Sequence, residues 1–263
     1  MNAVQQIYKA LLKEHGPQGW WPISAGDMVM RIRGRGEKRA RSIESEVRNR
    51  MNQNLISYHP GDYSYPRNES QRFEICAGAI LTQNTSWKQA EKALMGLRKL
   101  NALTAETVRK ISENKLKKSI RPAGYFNQKA KKLKHFAEFY LSLKGRTPSR
   151  DELLNVWGIG RETADSILLY AYNVPVFVVD AYTRRIFSSL GMVKADAKYD
   201  EIKDFFERSI IPVKLLQTVP EKQVQIYQEY HALIVEHAKK YYSGGDFGAC
   251  PLLKIAGINR NQR

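Results

Sequence analysis

The chain has 263 residues, 43% of them apolar and 23 of them Phe or Tyr, enough to fill the core of one large domain or two small ones. Its 43 Lys and Arg against 26 Asp and Glu leave a net charge of +17, which points to an acidic partner. The longest near-apolar run, Ile167 to Val179, is too short for a membrane span and is broken by Asn173 and Pro175; with a start unlike a signal peptide and two cysteines that cannot build a disulfide framework, a cytoplasmic protein is expected.

In chain order, apolar residues at three- and four-residue spacing predict helices over Val4–Leu12, Phe73–Leu81, Ala90–Leu100, Lys129–Leu143, Glu162–Tyr172, Tyr182–Leu190, Tyr199–Ile210 and Val224–Tyr241. Few segments alternate with period two, so the fold class is all-α. Thr104 and Ser149 read as N-caps, the second followed by Glu152 as in a capping box. Residues 23–70 read as an insertion, because Met28–Arg50 holds eight basic residues against three acidic ones and runs into the turn-rich stretch Tyr58–Pro66. A second basic concentration, Arg109–Lys134, sets ten Lys or Arg against Glu113 alone. It is either a solvated helix face or a nucleic-acid surface.

The segment Leu153–Ala164 places Gly158 and Gly160 around Ile159 between two helical stretches. Both glycines permit a tight turn with positive φ, and the bare amides that follow Gly160, at a helix N-terminus, can hold a phosphate oxygen. Ile159 is expected to anchor the turn in the core, with Leu154 and Ala164 packing the helices together. An ordinary helical hairpin with glycine caps fits the same residues. Downstream, Asp180 stands ahead of a helix after the apolar run Val174–Val179. It reads as an N-cap, and equally as a carboxylate kept ionised by the helix dipole, able to stabilise positive charge developing on a sugar.

The run Gly158-Ile-Gly-Arg-Glu-Thr-Ala164 followed by Val178-Val-Asp-Ala-Tyr182 resembles the helix-hairpin-helix DNA glycosylases of the endonuclease III superfamily. So do Phe73–Thr85, with its Leu-Thr-Gln-Asn-Thr ending, and the Gly-aromatic turn within Ile120–Ala130. The resemblance implies a two-lobed fold with a DNA-binding cleft: residues 1–22 with 191–263 as a terminal lobe, and 71–190 as a central lobe carrying the hairpin at 153–172. It implies that Asp180 is catalytic. It also implies that Gly158, Ile159, Gly160, Arg161, Glu162 and Thr163 hold the DNA backbone, that Gln83 fills the gap left by a flipped base with Asn84 binding DNA beside it, and that Tyr125 or Phe126 wedges the duplex, with Lys129 nearby on the DNA side. A monovalent cation at the hairpin carbonyls belongs to the same expectation, as does a monomer working on double-stranded DNA with a damaged base, associated with the nucleoid.

Two departures from the superfamily pattern are informative. Bifunctional members carry a lysine where this chain has Glu162, and a carboxylate cannot form a Schiff base with an abasic sugar, so a monofunctional enzyme is expected. Many relatives hold an iron–sulfur cluster on four cysteines near the C-terminus, whereas residues 238–263 offer only Cys250. The segment Gly16-Pro-Gln-Gly-Trp-Trp-Pro22 resembles the cluster-free 3-methyladenine branch, which implies a base pocket of Trp20, Trp21 and Phe73 suited to a cationic alkylpurine. The tryptophans could instead anchor the N-terminal segment in the core. The five histidines form no zinc pattern and are read as structural or surface residues, with no metal expected. Rival readings are a glycosylase/lyase with another lysine as nucleophile, a glycosylase for uracil, mismatched thymine or another lesion, and a DNA-binding module without chemistry.

Overall fold

The computed structural model describes residues 2–24, 56–210, 220–242, 250–255 and 257. The basic stretch 28–50 of the expected insertion lies outside the described residues. As the periodicity predicts, the described chain is helical. One short pair of strands, Ile23–Ser24 (β1) and Ile56–Ser57 (β2), runs antiparallel with Ile23 opposite Ser57. No described helix is long and apolar enough to cross a membrane.

The chain divides into two compact units. One comprises residues 21–59 and 64–159. Its centre is the helix Glu69–Leu81 (α2), capped by Asn68 and buried at every position from Phe73 to Leu81. Apart from Glu74, which accepts the Ser24 amide, such a run is apolar all round because helices cover it on several sides. Among them are Trp87–Lys99 (α3) and Phe126–Ser142 (α6), which follows the short helices Ala105–Lys110 (α4) and Glu113–Ser119 (α5). Thr104 caps α4, as its sequence position predicts. Gly96 of α3 is required by packing, since a β-carbon there would stand 2.2 Å from the Ser119 carbonyl oxygen. The helix Arg150–Leu154 (α7) begins with the predicted Ser149–Glu152 capping box.

The other unit comprises residues 1–20, 60–63 and 160–263. Its described helices are Ala3–His15 (α1), Arg161–Ser166 (α8), Ala181–Ser189 (α9), Tyr199–Ile210 (α10), Pro220–Tyr241 (α11) and Leu252–Ile255 (α12). Phe177 stacks on Phe206 at 4.3 Å, and Phe187 and Tyr230 meet them edge-on, forming an aromatic core that α1 joins through a 2.8 Å bond from Tyr230 Oη to the Val4 carbonyl.

This division differs from the expected one. Residues 160–190 belong with the termini, and the change of unit falls inside the hairpin, between Ile159 and Gly160. The reason is the π-helical turn Ile167–Ala171 that continues α8. All five of its residues are buried, and it is fastened to α11 by bonds from Tyr170 Oη to the Gln228 carbonyl and from Gln228 Nε2 to the Leu169 carbonyl. Within the expected insertion, residues 60–63 belong to the terminal unit and 64–70 to the other.

Candidate active site

In the terminal unit the site is built around Asp180. Its backbone is extended, with φ −93° and ψ −179°, and it caps α9. Oδ1 accepts both the Thr183 amide at 2.7 Å and the Thr183 hydroxyl at 2.8 Å. That leaves Oδ2 turned toward His231 Nε2, 3.8 Å away, and the carboxylate is 13% exposed rather than sealed in. The sequence allows a cap or a catalytic carboxylate; in the fold Oδ1 does the capping while Oδ2 stays turned toward His231.

His231 is one of a run of residues, Tyr227 to Val235, that are all buried along α11. Its Nδ1 lies 2.7 Å from Tyr170 Oη, and burial lowers its pKa, with the Asp180 charge opposing. Trp20 meets the imidazole edge-on at 5.7 Å and stands 6.4 Å from the Tyr170 ring. Glu229, buried on the same helix, accepts the Gln18 and Gly19 amides at 2.8 and 3.0 Å and so fixes the turn that presents Trp20. Tyr170 and Glu229 are given no site role in the sequence reading, and His231 is read there as a structural histidine. The polar Gln-Glu-Tyr-His of residues 228–231, set inside a helix that is otherwise apolar at its centre, was the available signal.

Glu162 lies in the first turn of α8. Its surface is exposed, yet surrounding protein atoms and, next, the Asp180 charge push its carboxyl up to about 7. Solvent at the carboxylate limits the contribution of burial, so the neighbouring charge is the part that persists. Arg161, expected on the DNA backbone, pairs with Asp200 at 3.0 Å, and Thr163 is buried at 7% exposure. Gly160 caps α8 with φ −95°, so only Gly158 of the two hairpin glycines takes a positive φ. Nothing lies within 4 Å of a β-carbon built on Gly160, so the space beside it is open.

In the other unit, Gly158 has φ +85°, and Ile159 is buried as the expected anchor. The Gly158 carbonyl accepts Gln83 Nε2 at 3.1 Å, while Gln83 Oε1 accepts Lys132 Nζ at 2.5 Å. The expected gap-filling side chain is therefore tied to the hairpin turn. Asn84 beside it is exposed with φ +52°. Tyr125 is 71% exposed in a left-handed conformation at the start of α6, whereas Phe126 is half-buried under Arg121.

Three expected site residues are corrected by their burial. Lys129 is 2% exposed, and its ammonium donates to the Leu81 and Ala123 carbonyls at 2.9 and 2.8 Å. It ties α6 to α2 and offers no charge to a phosphate; burial lowers its pKa to about 8. Phe73 is fully buried against Phe136 and Tyr140. Trp21 is buried against Trp87 and over Gly78, so it is core, and only Trp20 remains beside the carboxylate site.

Residues 77–212, a span that includes the hairpin and Asp180, match the model of the HhH-GPD superfamily of base excision DNA repair proteins. The chain belongs to that superfamily. It is a DNA N-glycosylase. A protein of Methanocaldococcus jannaschii named as a DNA repair glycosylase is 39% identical over 249 residues, covering 90% of this chain and 88% of the relative. The H. pylori 3-methyladenine DNA glycosylase bound to 1,N6-ethenoadenine matches with a TM-score of 0.58 and 31% identity, over 68% of this chain and 88% of that one. An endonuclease III–DNA complex shares the HhH glycosylase fold at 22% identity, with a TM-score of 0.58 over 74% of this chain and 85% of that one.

Proposed function

We propose that this HhH-GPD glycosylase is monofunctional and releases an alkylated purine, such as 3-methyladenine, from double-stranded DNA. The single observation that carries the reading is the placement of Asp180: Thr183 holds one carboxylate oxygen while Oδ2 faces His231 Nε2 at 3.8 Å and the side chain stays partly exposed, and Glu162 stands where bifunctional relatives carry a lysine. DNA would be gripped at the amides after Gly160, while the exposed charges of Arg109, Lys110, Lys115, Lys118, Arg121 and Lys131 bind phosphates in a salt-dependent manner. Tyr125 would wedge the duplex and Trp20 would stack on the flipped base.

The chemistry needs no strong acid. An N-alkylated purine is cationic, so the C1′–N bond breaks with its electron pair going to the base, which leaves neutral. The positive charge passes to the sugar, where the Asp180 carboxylate stabilises it. With Tyr170 Oη donating its hydrogen bond to the Gln228 carbonyl, the neutral His231 ring donates from Nδ1 to Tyr170 Oη and presents its Nε2 lone pair to the site. One water can donate to both Nε2 and Asp180 Oδ2 across their 3.8 Å separation. That water adds to C1′ through a new C–O bond, and its proton passes to the carboxylate. We further propose that the carbonyls of the 156–159 loop hold a monovalent cation, since Val156 and Gly158 oxygens each give one lone pair to Ile159 N and Gln83 Nε2 and keep a second. No step passes through it.

Incubating the purified protein with duplexes that each carry one defined lesion tests the reading. Release of 3-methyladenine, no borohydride-trapped adduct on abasic DNA, and a loss of about 10²- to 10³-fold in Asp180→Asn are expected. Trapping would establish a lyase, release of uracil or mismatched thymine alone would change the substrate, and release of no base at all would leave a binding module.

A further inference from the structure

Away from the Asp180 site, the terminal unit brings together Glu14 and His15 at the end of α1 and His237 near the end of α11. His15 Nε2 stands 3.1 Å from His237 Nδ1. Glu14 Oε2 lies 3.8 Å from the first nitrogen and 3.7 Å from the second. A triangle with these sides has a centre about 2.1 Å from every corner, the distance at which zinc binds imidazole nitrogen and carboxylate oxygen. We propose that Glu14, His15 and His237 form a binding site for a divalent transition metal of the zinc class.

A hydrogen bond between the two imidazoles accounts for one side of the triangle only. The carboxylate oxygen is too far from either nitrogen for a hydrogen bond, yet it faces both, as it would around a shared cation. Its orientation is built in: Lys240 Nζ and Tyr241 Oη both donate to Oε1, at 2.8 and 2.6 Å, which turns Oε2 inward. The far side of the buried His237 ring is fixed as well, because Nε2 lies 3.2 Å from Cys250 Sγ. Hydrogen-bonded partners behind each ligand are what hold a first coordination sphere in place. Two imidazoles with one carboxylate suit zinc, cobalt or nickel rather than magnesium or calcium. The Lys240 side chain is 56% exposed and its ammonium sits on the outer oxygen, where water screens its charge from the ion. The bound ion would clasp the first long helix to the last, and its fourth position would be taken by water.

The test uses the full-length protein, stripped with chelator and titrated with Zn2+ by calorimetry, alongside Co2+ absorption spectra and melting curves. One equivalent bound, a rise in Tm on adding Zn2+, and tetrahedral Co2+ bands are expected. Glu14→Gln and His15→Gln, both at least partly open to solvent, should keep the melting temperature of the stripped protein, weaken binding by tenfold or more and abolish the zinc-induced rise. Absence of saturable binding at one equivalent, or equal affinity in wild type and both variants, would overturn the site. Intense thiolate-to-cobalt absorption would overturn the proposed ligand set. None of these outcomes depends on which base the enzyme removes.

Discussion

Thr183 donates to the same oxygen of Asp180 twice, through its amide and through its hydroxyl. The side chain of Thr183 is fully buried, so the hydroxyl has no water to turn to, and its bond holds the carboxylate in one rotamer. Thr183→Val keeps the shape and the amide but removes that bond. We expect a loss of about 1 kcal/mol in stability and a fall of about tenfold in the rate of base release, with lesion-DNA affinity unchanged. Single-turnover rates beside urea melts read both; a variant with full activity would show that the hydroxyl does not orient Asp180.

The two hairpin glycines should respond differently to a methyl group. At Gly158 an alanine must adopt φ +85° with Lys132 methylenes closer than 3 Å, which should destabilise the protein by about 1–3 kcal/mol. At Gly160 the backbone is ordinary and the space is open, so Gly160→Ala should fold as well as wild type. Its methyl group would stand over the α8 amides and lower affinity for duplex DNA about tenfold, for damaged and undamaged sequences alike. Unchanged affinity in Gly160→Ala would remove the anion-site reading.

Glu162 gives the protein a pH dependence with a definite sign. Its carboxyl is raised from 4.5 to about 7 in the folded chain. Between those values the native state retains a proton that the unfolded state has released, so this residue's contribution to stability falls as pH rises through that window. Urea midpoints of wild type and Glu162→Gln, measured from pH 4.5 to 8, should converge at the acid end and separate above pH 7, with the variant more stable there. Parallel curves would mean that the coupling to Asp180 is absent.

Lys129 and Tyr125 exchange the roles that their types suggest. Lys129→Met strands the Leu81 and Ala123 carbonyls and should cost about 2–3 kcal/mol, while the salt dependence of DNA binding stays as in wild type. Tyr125→Ala removes a ring that is 71% exposed and should leave stability within about 0.5 kcal/mol. Its effect should fall on base release from duplex substrates, and far less on single strands. A reduced salt slope in Lys129→Met would restore it to the DNA surface.

Much of this protein is decided by neighbours along the chain. The helical class, the Ser149–Glu152 box, the Thr104 cap, the cap at Asp180 and the replacement of a lysine by Glu162 are all legible in sequence, because periodicity and capping act over three or four residues. Tertiary structure decided what those signals leave open. Trp20 and Trp21 are adjacent, yet one meets His231 and the other packs on Gly78 and Trp87. Glu229 holds the Trp20 turn from more than two hundred positions away, and Lys129 turns inward to carbonyls of other segments. Such pairings depend on which faces of α11 and α2 are covered. A helix buried all round has no apolar stripe in its sequence to say which neighbour lies on which side.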